Sequence, residues 1–199
     1  MRLTSKLRFN LLLIALLLLW SFEPLQAGQP TEEIRSAINQ GIEIAKGAKL
    51  DTEADKAAVV NRLREIVYPL FDFEEMAKRS LGPHWRRLNP QQQTEFVASF
   101  RELLEKTYAD KIDLYEGQKV AFNGETVDKD FAQVDTRVIG KQQSYSVDYR
   151  LHLVNGKWKI YDVIAENISL VNNYRSQFNR VLSNSSYDEL LKIIKEKGA

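Results

Sequence analysis

Residues 144–165 read SYSVDYRLHLVNGKWKIYDVIA. Tyr145, Val147, Tyr149, Leu151 and Leu153 alternate without a break with Ser144, Ser146, Asp148, Arg150 and His152. A period of two puts one kind of side chain on each face of a strand, which suits an antiparallel sheet with a single apolar face. Asn155-Gly156 follows, the preferred two-residue hairpin turn, because both residues tolerate the positive φ that it demands. Residues 157–165 are then the return strand. Its apolar residues change parity between Ile160 and Tyr161, which predicts a bulge at that point.

Upstream, Val134, Thr136 and Val138 mark an earlier strand, and Val120 with Phe122 marks a first one. Before these the apolar period lengthens to that of a helix. Asn89-Pro90 pairs a capping residue with proline at the first helical position. The helix after it carries Phe96, Phe100, Leu103, Leu104, Thr107, Tyr108, Ile112 and Tyr115 on one face, and Gly117 stops it. Asp72 with Glu75 caps a short helix that Gly82-Pro83 breaks, and Thr52 with Asp55 forms a capping box for a helix ending near Pro69. Thr31 starts another, running to about Lys46. After the sheet, Ile168, Val171, Tyr174, Phe178 and Val181 recur every three or four residues, and Ser186 with Glu189 caps a last helix. The fold class is α+β: a twisted antiparallel sheet of about four strands with helices gathered on its concave face.

The N-terminus addresses the chain. Arg2, Lys6 and Arg8 precede an unbroken apolar run over 11–20, and Pro24-Leu25-Gln26-Ala27 ends on a small residue before Gly28. This is the layout of a cleaved secretory signal peptide, residues 1–27. The apolar run is half the roughly 20 residues that a membrane span needs. Residues 28–199 are then a single domain exported to the periplasm. Losing three basic residues and Glu23 turns a net charge of +1 into −1. A nucleic-acid binder would show a basic excess instead. The absence of cysteine removes disulfides, thiolate metal sites and thiol nucleophiles.

The inventory for catalysis is poor. His84 and His152 have no metal-ligand spacing, and no nucleophile elbow, phosphate loop or dinucleotide fingerprint occurs. Asp162 and Glu166 stand four apart across a strand end, where carboxylates more often cap or face solvent than share a proton. No cofactor is expected. The apolar inventory is rich, and between a curved sheet and such helices lies either a packed core or a cavity. The residues leave open a cavity protein, whether a binder or a cavity enzyme of similar fold, and an adaptor with a filled core.

From Tyr68 onward the order of motifs resembles one family. It comprises residues 73–76, Leu81-Gly82, Trp85, Asn89-Pro90 with Gln92, Phe96, Phe100-Arg101, Leu104, Tyr108 and Tyr115-Glu116-Gly117. It continues with GKWKIYDV at 156–163, then Glu166, Ser169-Leu170 and YRSQF at 174–178. These resemble the MlaC family, the periplasmic phospholipid-binding components of the Mla transport system, also called the toluene-tolerance family. One departure is Asn167, where members often have glycine; asparagine tolerates left-handed backbone better than most residues. The resemblance implies a cavity for acyl chains and a lipid carrier rather than an enzyme. It also implies a shuttle between an inner-membrane transporter with MCE domains and an outer-membrane lipoprotein complex, maintaining outer-membrane lipid asymmetry. A monomer is expected.

With a cavity implied, the apolar faces supply the candidate lipid-binding residues: Phe100, Leu104, Tyr108, Val134, Val138, Val147, Tyr149, Leu151, Trp158, Tyr161, Val163, Ile168 and Val171. Ile168, Val171 and Phe178 share a helical face, which predicts that Ile168 looks into the cavity. At about 0.8 kcal/mol per methylene, two long acyl chains cost on the order of 20 kcal/mol to hold in water. Apolar walls can replace that without a catalytic group, and a headgroup left in solvent implies weak headgroup selectivity. N-terminal sequencing of the exported form should read from Gly28; a full-length, membrane-retained chain contradicts the signal-peptide reading.

Overall fold

Asn155 and Gly156 both have positive φ, 51° and 75°. Their tight turn joins β3 (Ser144–Val154) to β4 (Lys157–Ala165). In the computed structural model, which describes residues 29–48, 51–109 and 116–198, these strands are the centre of an antiparallel meander. β1 (Lys119–Asp128) and β2 (Phe131–Ile139) precede them, and a two-residue β5 (Ile168–Ser169) follows, in the spatial order β1-β2-β3-β4-β5. The sheet thus has one strand more than the alternation alone predicts.

The bulge lies where the parity changes. Leu151 faces Ile160 and Arg150 faces Asp162, which leaves Tyr161 without a partner. After the extra residue Val163 pairs with Tyr149, so it joins Trp158 and Ile160 on the inward face. Asp162 and Ile164 turn to the opposite face. Asp162 is only 3% exposed there. It accepts hydrogen bonds from the Val171 backbone N–H at 3.0 Å and from Ser169 Oγ at 2.6 Å. The buried carboxylate therefore receives the start of α5 (Leu170–Leu182).

The helices are α1 (Gln29–Lys46), α2 (Glu53–Val67), α3 (Phe73–Leu81), α4 (Pro90–Ala109), α5 and α6 (Tyr187–Gly198). Every expected cap but one is made: Thr31, expected to start α1, lies inside it, because the helix begins at Gln29, and the Thr31 N–H donates to Glu125 Oε2 at 2.8 Å. Thr52 and Asp55 form a reciprocal capping box, and Asp72 Oδ1 accepts from Glu75 N at 2.9 Å. Asn89 and Gln92 exchange side-chain to backbone bonds of 2.9 and 3.0 Å. Ser186 Oγ accepts from Glu189 N at 3.2 Å. Gly82, with φ of 55°, ends α3, but the chain tightens into a 3₁₀ turn, Gly82–Arg87, rather than a loop. Ile112 and Tyr115, expected on the face of α4, lie outside the described residues, as does the whole signal-peptide segment.

Ile168 departs from its expected place. Glu166 and Asn167 both adopt positive φ, 48° and 66°, and turn the chain back so that Ile168 pairs with Ala165 as β5. Ser169 then caps α5, its Oγ accepting from Asn172 N at 3.1 Å. The helix starts after Ile168, because the capping serine sets the boundary that apolar spacing alone runs through.

The interior is divided. One core joins α3, α4, α5 and α6 around Met76, Phe96, Phe100, Tyr174, Phe178 and Leu190. The other joins the sheet to α1 around Ile34, Val134, Leu151, Trp158 and Ile160. Phe71, in the link between α2 and α3, packs against both. It bridges to Ile160, and the Asp72 N–H donates to the Ile160 carbonyl at 2.9 Å.

Asp162→Ala strips the buried Val171 N–H and the Ser169 hydroxyl of their acceptor. Equilibrium urea unfolding should show a loss of about 2–4 kcal/mol with an unchanged m-value. A loss below ~0.5 kcal/mol would show that water replaces the carboxylate without penalty.

Candidate functional site

Between the two cores the packing fails to close. A cavity of about 460 Å³ lies where α2, α3, α4, α5 and the end of β4 converge. Phe71, Phe73 and Met76 reach it from the link and α3, Leu104 and Tyr108 from α4, Val163 and Ala165 from β4, and Leu170 from α5. Phe71 and Phe73 stack at 5.6 Å, and Tyr68 meets Phe73 edge-on at 5.2 Å, so one wall is aromatic. Such rings combine large apolar area with few rotatable bonds, which keeps a wall in place when nothing fills the space behind it.

Polar groups gather at the rim. Glu105 accepts from the Arg64 guanidinium through one carboxylate oxygen and from the Tyr68 hydroxyl through the other. Its charge is thereby matched before any ligand arrives. Arg101 extends over the Tyr68 ring at 5.6 Å. Partial burial and the neighbouring Tyr174 push the Tyr108 phenol up, so it stays neutral at physiological pH. Three apolar side chains at the mouth face solvent: Val67, Tyr108 and Ile168, the last 64% exposed.

A second apolar cavity, about 360 Å³, lies under α1. Ile34, Ile38 and Ile42 repeat every four residues along the helix and form its roof, while Tyr149 and Ile160 form its floor. Tyr149 is the polar residue there. Burial, with a smaller contribution from Asp148, pushes its phenol up to about 12, so it too stays neutral. Val67 and Phe71 line both cavities and form the partition between them. Taking about 30 Å³ per methylene, the share of a liquid water molecule, a 16-carbon chain needs roughly 480 Å³. The larger cavity matches one such chain.

Of the candidate residues, Leu104, Tyr108, Val163 and Ile168 line the larger cavity and Tyr149 lines the smaller. Phe100 and Val171 are sealed in the helical core, Phe100 meeting Tyr174 and Phe178 edge-on at 5.2 and 5.7 Å. Val134, Leu151 and Trp158 are sealed in the sheet core. Val138 and Val147 are half-buried on the inward face but border neither cavity. Tyr161 is turned by the bulge toward His152 and Phe131, with the Arg79 guanidinium 4.2 Å from its ring centroid. An apolar face shows which side chains point inward, but not which of them stop short of a neighbour. Sequence reading missed Val67, Phe71, Phe73 and the isoleucines of α1. The four-residue spacing of Ile34, Ile38 and Ile42 is the one signal that could have found any of them.

The histidines and the carboxylate pair weighed in the sequence lie elsewhere. His84 contacts Asn179 at 3.2 Å and His152 contacts Asp72 at 3.0 Å. Asp162 holds the start of α5, and Glu166 accepts from Ser146 N at 2.6 Å. No group of histidine or carboxylate side chains among the described residues could hold a metal ion. Among the described residues, no helix is long and apolar enough to cross a membrane.

Known proteins resemble this chain in fold and in sequence. A phospholipid-binding protein from Ralstonia solanacearum, solved in complex with a phospholipid, superposes with a TM-score of 0.74 over 84% of this chain and 95% of that one. At 22% identity that likeness is one of fold. The chain is 24% identical over 141 residues, 66% of either chain, to the intermembrane phospholipid transport system binding protein MlaC of Haemophilus influenzae. It is 23% identical over 179 residues, 83% of the relative's length, to the toluene tolerance protein ttg2D of Pseudomonas putida. The family model for the MlaC protein matches residues 35–196, from inside α1 to inside α6 and including the whole sheet, and the chain belongs to the MlaC family.

Proposed function

We propose that the protein is a periplasmic phospholipid carrier. One acyl chain of the lipid lies in the cavity between the two cores, and the headgroup stays at the polar rim. The observation that carries this reading is the larger cavity itself: apolar walls, one acyl chain's volume, and a rim where Arg64, Arg101 and Glu105 meet water. Burying a 16-carbon chain there returns roughly 10 kcal/mol of the free energy that water exposure costs. That is about half of what two acyl chains cost in water, so the second chain needs apolar wall beyond this cavity.

The relatives' names and the family support placing the carrier between two membranes. In this reading it takes lipid from, or delivers lipid to, an inner-membrane transporter with MCE domains and an outer-membrane lipoprotein complex, and so maintains lipid asymmetry. It works as a monomer after removal of residues 1–27. The sequence holds no nucleotide-binding motif, so the energy for directional transport comes from its partners.

The wall at Val163 provides the test. Val163→Glu sets a carboxylate against the acyl chains, where it must ionise at high cost or stay protonated with a raised pKa. Native mass spectrometry of the purified variant should find bound phospholipid reduced about tenfold or more, equivalent to at least ~1.4 kcal/mol. Ile168→Glu, at an exposed mouth position that cannot unfold the protein, should weaken binding less and leave the thermal transition in place. A folded Val163→Glu protein carrying phospholipid at the wild-type ratio moves the acyl chains out of this cavity. A wild-type protein that takes up no phospholipid from vesicles overturns the carrier reading.

A further inference from the structure

The two apolar cavities are neighbours at their floors. Tyr149, under the smaller, and Val163, under the larger, are cross-strand partners on the inward face of β3 and β4. Side chains so paired stand about 5 Å apart. Above them, Val67 and Phe71 border both spaces and keep them separate. Phe71 is held, because its link docks on Ile160. Val67 is the last residue of α2 and is 37% exposed.

That helix is lightly anchored. Of its 15 residues Val59 alone is buried. Among the described residues, the hydrogen bonds that tie its end to α4 meet at one carboxylate: Glu105 accepts from Arg64 and from the Tyr68 hydroxyl just past the helix. The tie is imperfect, since the Arg64 Nε–H is buried without an acceptor among the described residues. A buried donor left unpaired favours a state in which water reaches it. An element with few buried apolar contacts also opens at low cost. Beyond Tyr68 the chain is fixed again, Lys159 donating to the Pro69 carbonyl and the Asp72 N–H to that of Ile160. The turn Tyr68–Leu70 is therefore a pivot about which α2 can swing while the link stays docked.

We propose that α2 is a gate between the two cavities, latched by Glu105, which opens to admit the second acyl chain of a two-chain lipid. The inference rests on the carrier reading above. With the gate closed, the larger cavity matches one 16-carbon chain, and Val67 with Phe71 bars the way to the smaller. The two chains of a glycerophospholipid start from adjacent glycerol carbons, so they need slots that join at one end. Two cavities kept apart by a partition do not offer that. When α2 swings out, Val67 leaves the partition, and the floors at Tyr149 and Val163 lie under one space. Glu105 is in this respect a positioning residue: through Arg64 and Tyr68 it sets when the slots join.

The test compares lipids of one and two chains. Vesicles carry equal amounts of phosphatidylethanolamine and lysophosphatidylethanolamine with the same acyl chain, and native mass spectrometry counts each on purified protein at early times. A one-chain lipid needs only the larger cavity, so the ratio of two-chain to one-chain uptake reads the gate and cancels general changes at the rim. Glu105→Gln should raise this ratio roughly two- to fivefold, as for the loss of a partly exposed ion pair. Arg64→Met, at a side chain that lines neither cavity, should do the same. Val67→Ala, which thins the partition and leaves the latch intact, should also raise it. Hydrogen exchange of the α2 amides should quicken in Arg64→Met and stay at the wild-type rate in Val67→Ala. A ratio unchanged or lowered in both latch variants overturns the gate and leaves the carrier standing. Wild-type protein that takes up neither lipid removes both.

Discussion

The docking of Phe71 and Asp72 onto β4 is the constraint from which the rest of the molecule follows. Two residues give a backbone hydrogen bond to Ile160, a cap for α3 and an aromatic ring that belongs to both cores. His152 steadies the Asp72 carboxylate from β3. The link between α2 and α3 cannot move without shifting α3 and the wall of each cavity. A helical bundle and a sheet have unlike surface periods and do not interdigitate along their whole length. Joined at β4 through this link and through Asp162 at the start of α5, they leave gaps between the joints, and those gaps are the cavities.

The sheet was largely legible because its signals are local. The alternation in β3, the Asn155-Gly156 turn and the change of parity at Tyr161 each name their own structure. The caps Thr52, Asp72, Asn89, Ser169 and Ser186 are equally local, although apolar spacing alone runs past Ser169 and draws Ile168 into α5. The cavity was legible only through resemblance. Leu151 and Val163 sit on the same inward face, yet Leu151 meets α1 side chains and Val163 borders open space. Nothing in their spacing separates them, because the difference lies in how far apart two distant elements come to rest.

The bulge shows how a local irregularity serves both faces. Were Tyr161 paired with Arg150 in a regular ladder, Asp162 would point into the sheet core and Val163 would point away from the cavity. With the bulge, a carboxylate that would be costly inside receives the backbone N–H of α5 on the far side, and a valine takes the inward position. The same shift releases Tyr161 to pack with Phe131 and His152. One inserted residue thus fixes the helix that forms the cavity's edge and the side chain that forms its wall.

The partition of Val67 and Phe71 has a consequence for cooperativity. Each core alone is about the size of a small domain, which buries only about 60% of its unfolded chain's surface and is marginal by itself. With only the Phe71–Asp72 link and the Asp162 contact to α5 tying them, the two cores can open separately once those joints give. A ligand lying against the partition touches residues of both units and binds only when both are formed, so its binding free energy becomes coupling between them. The cargo then completes the hydrophobic core, and loading a carrier of this design is also the last step of making it one cooperative body.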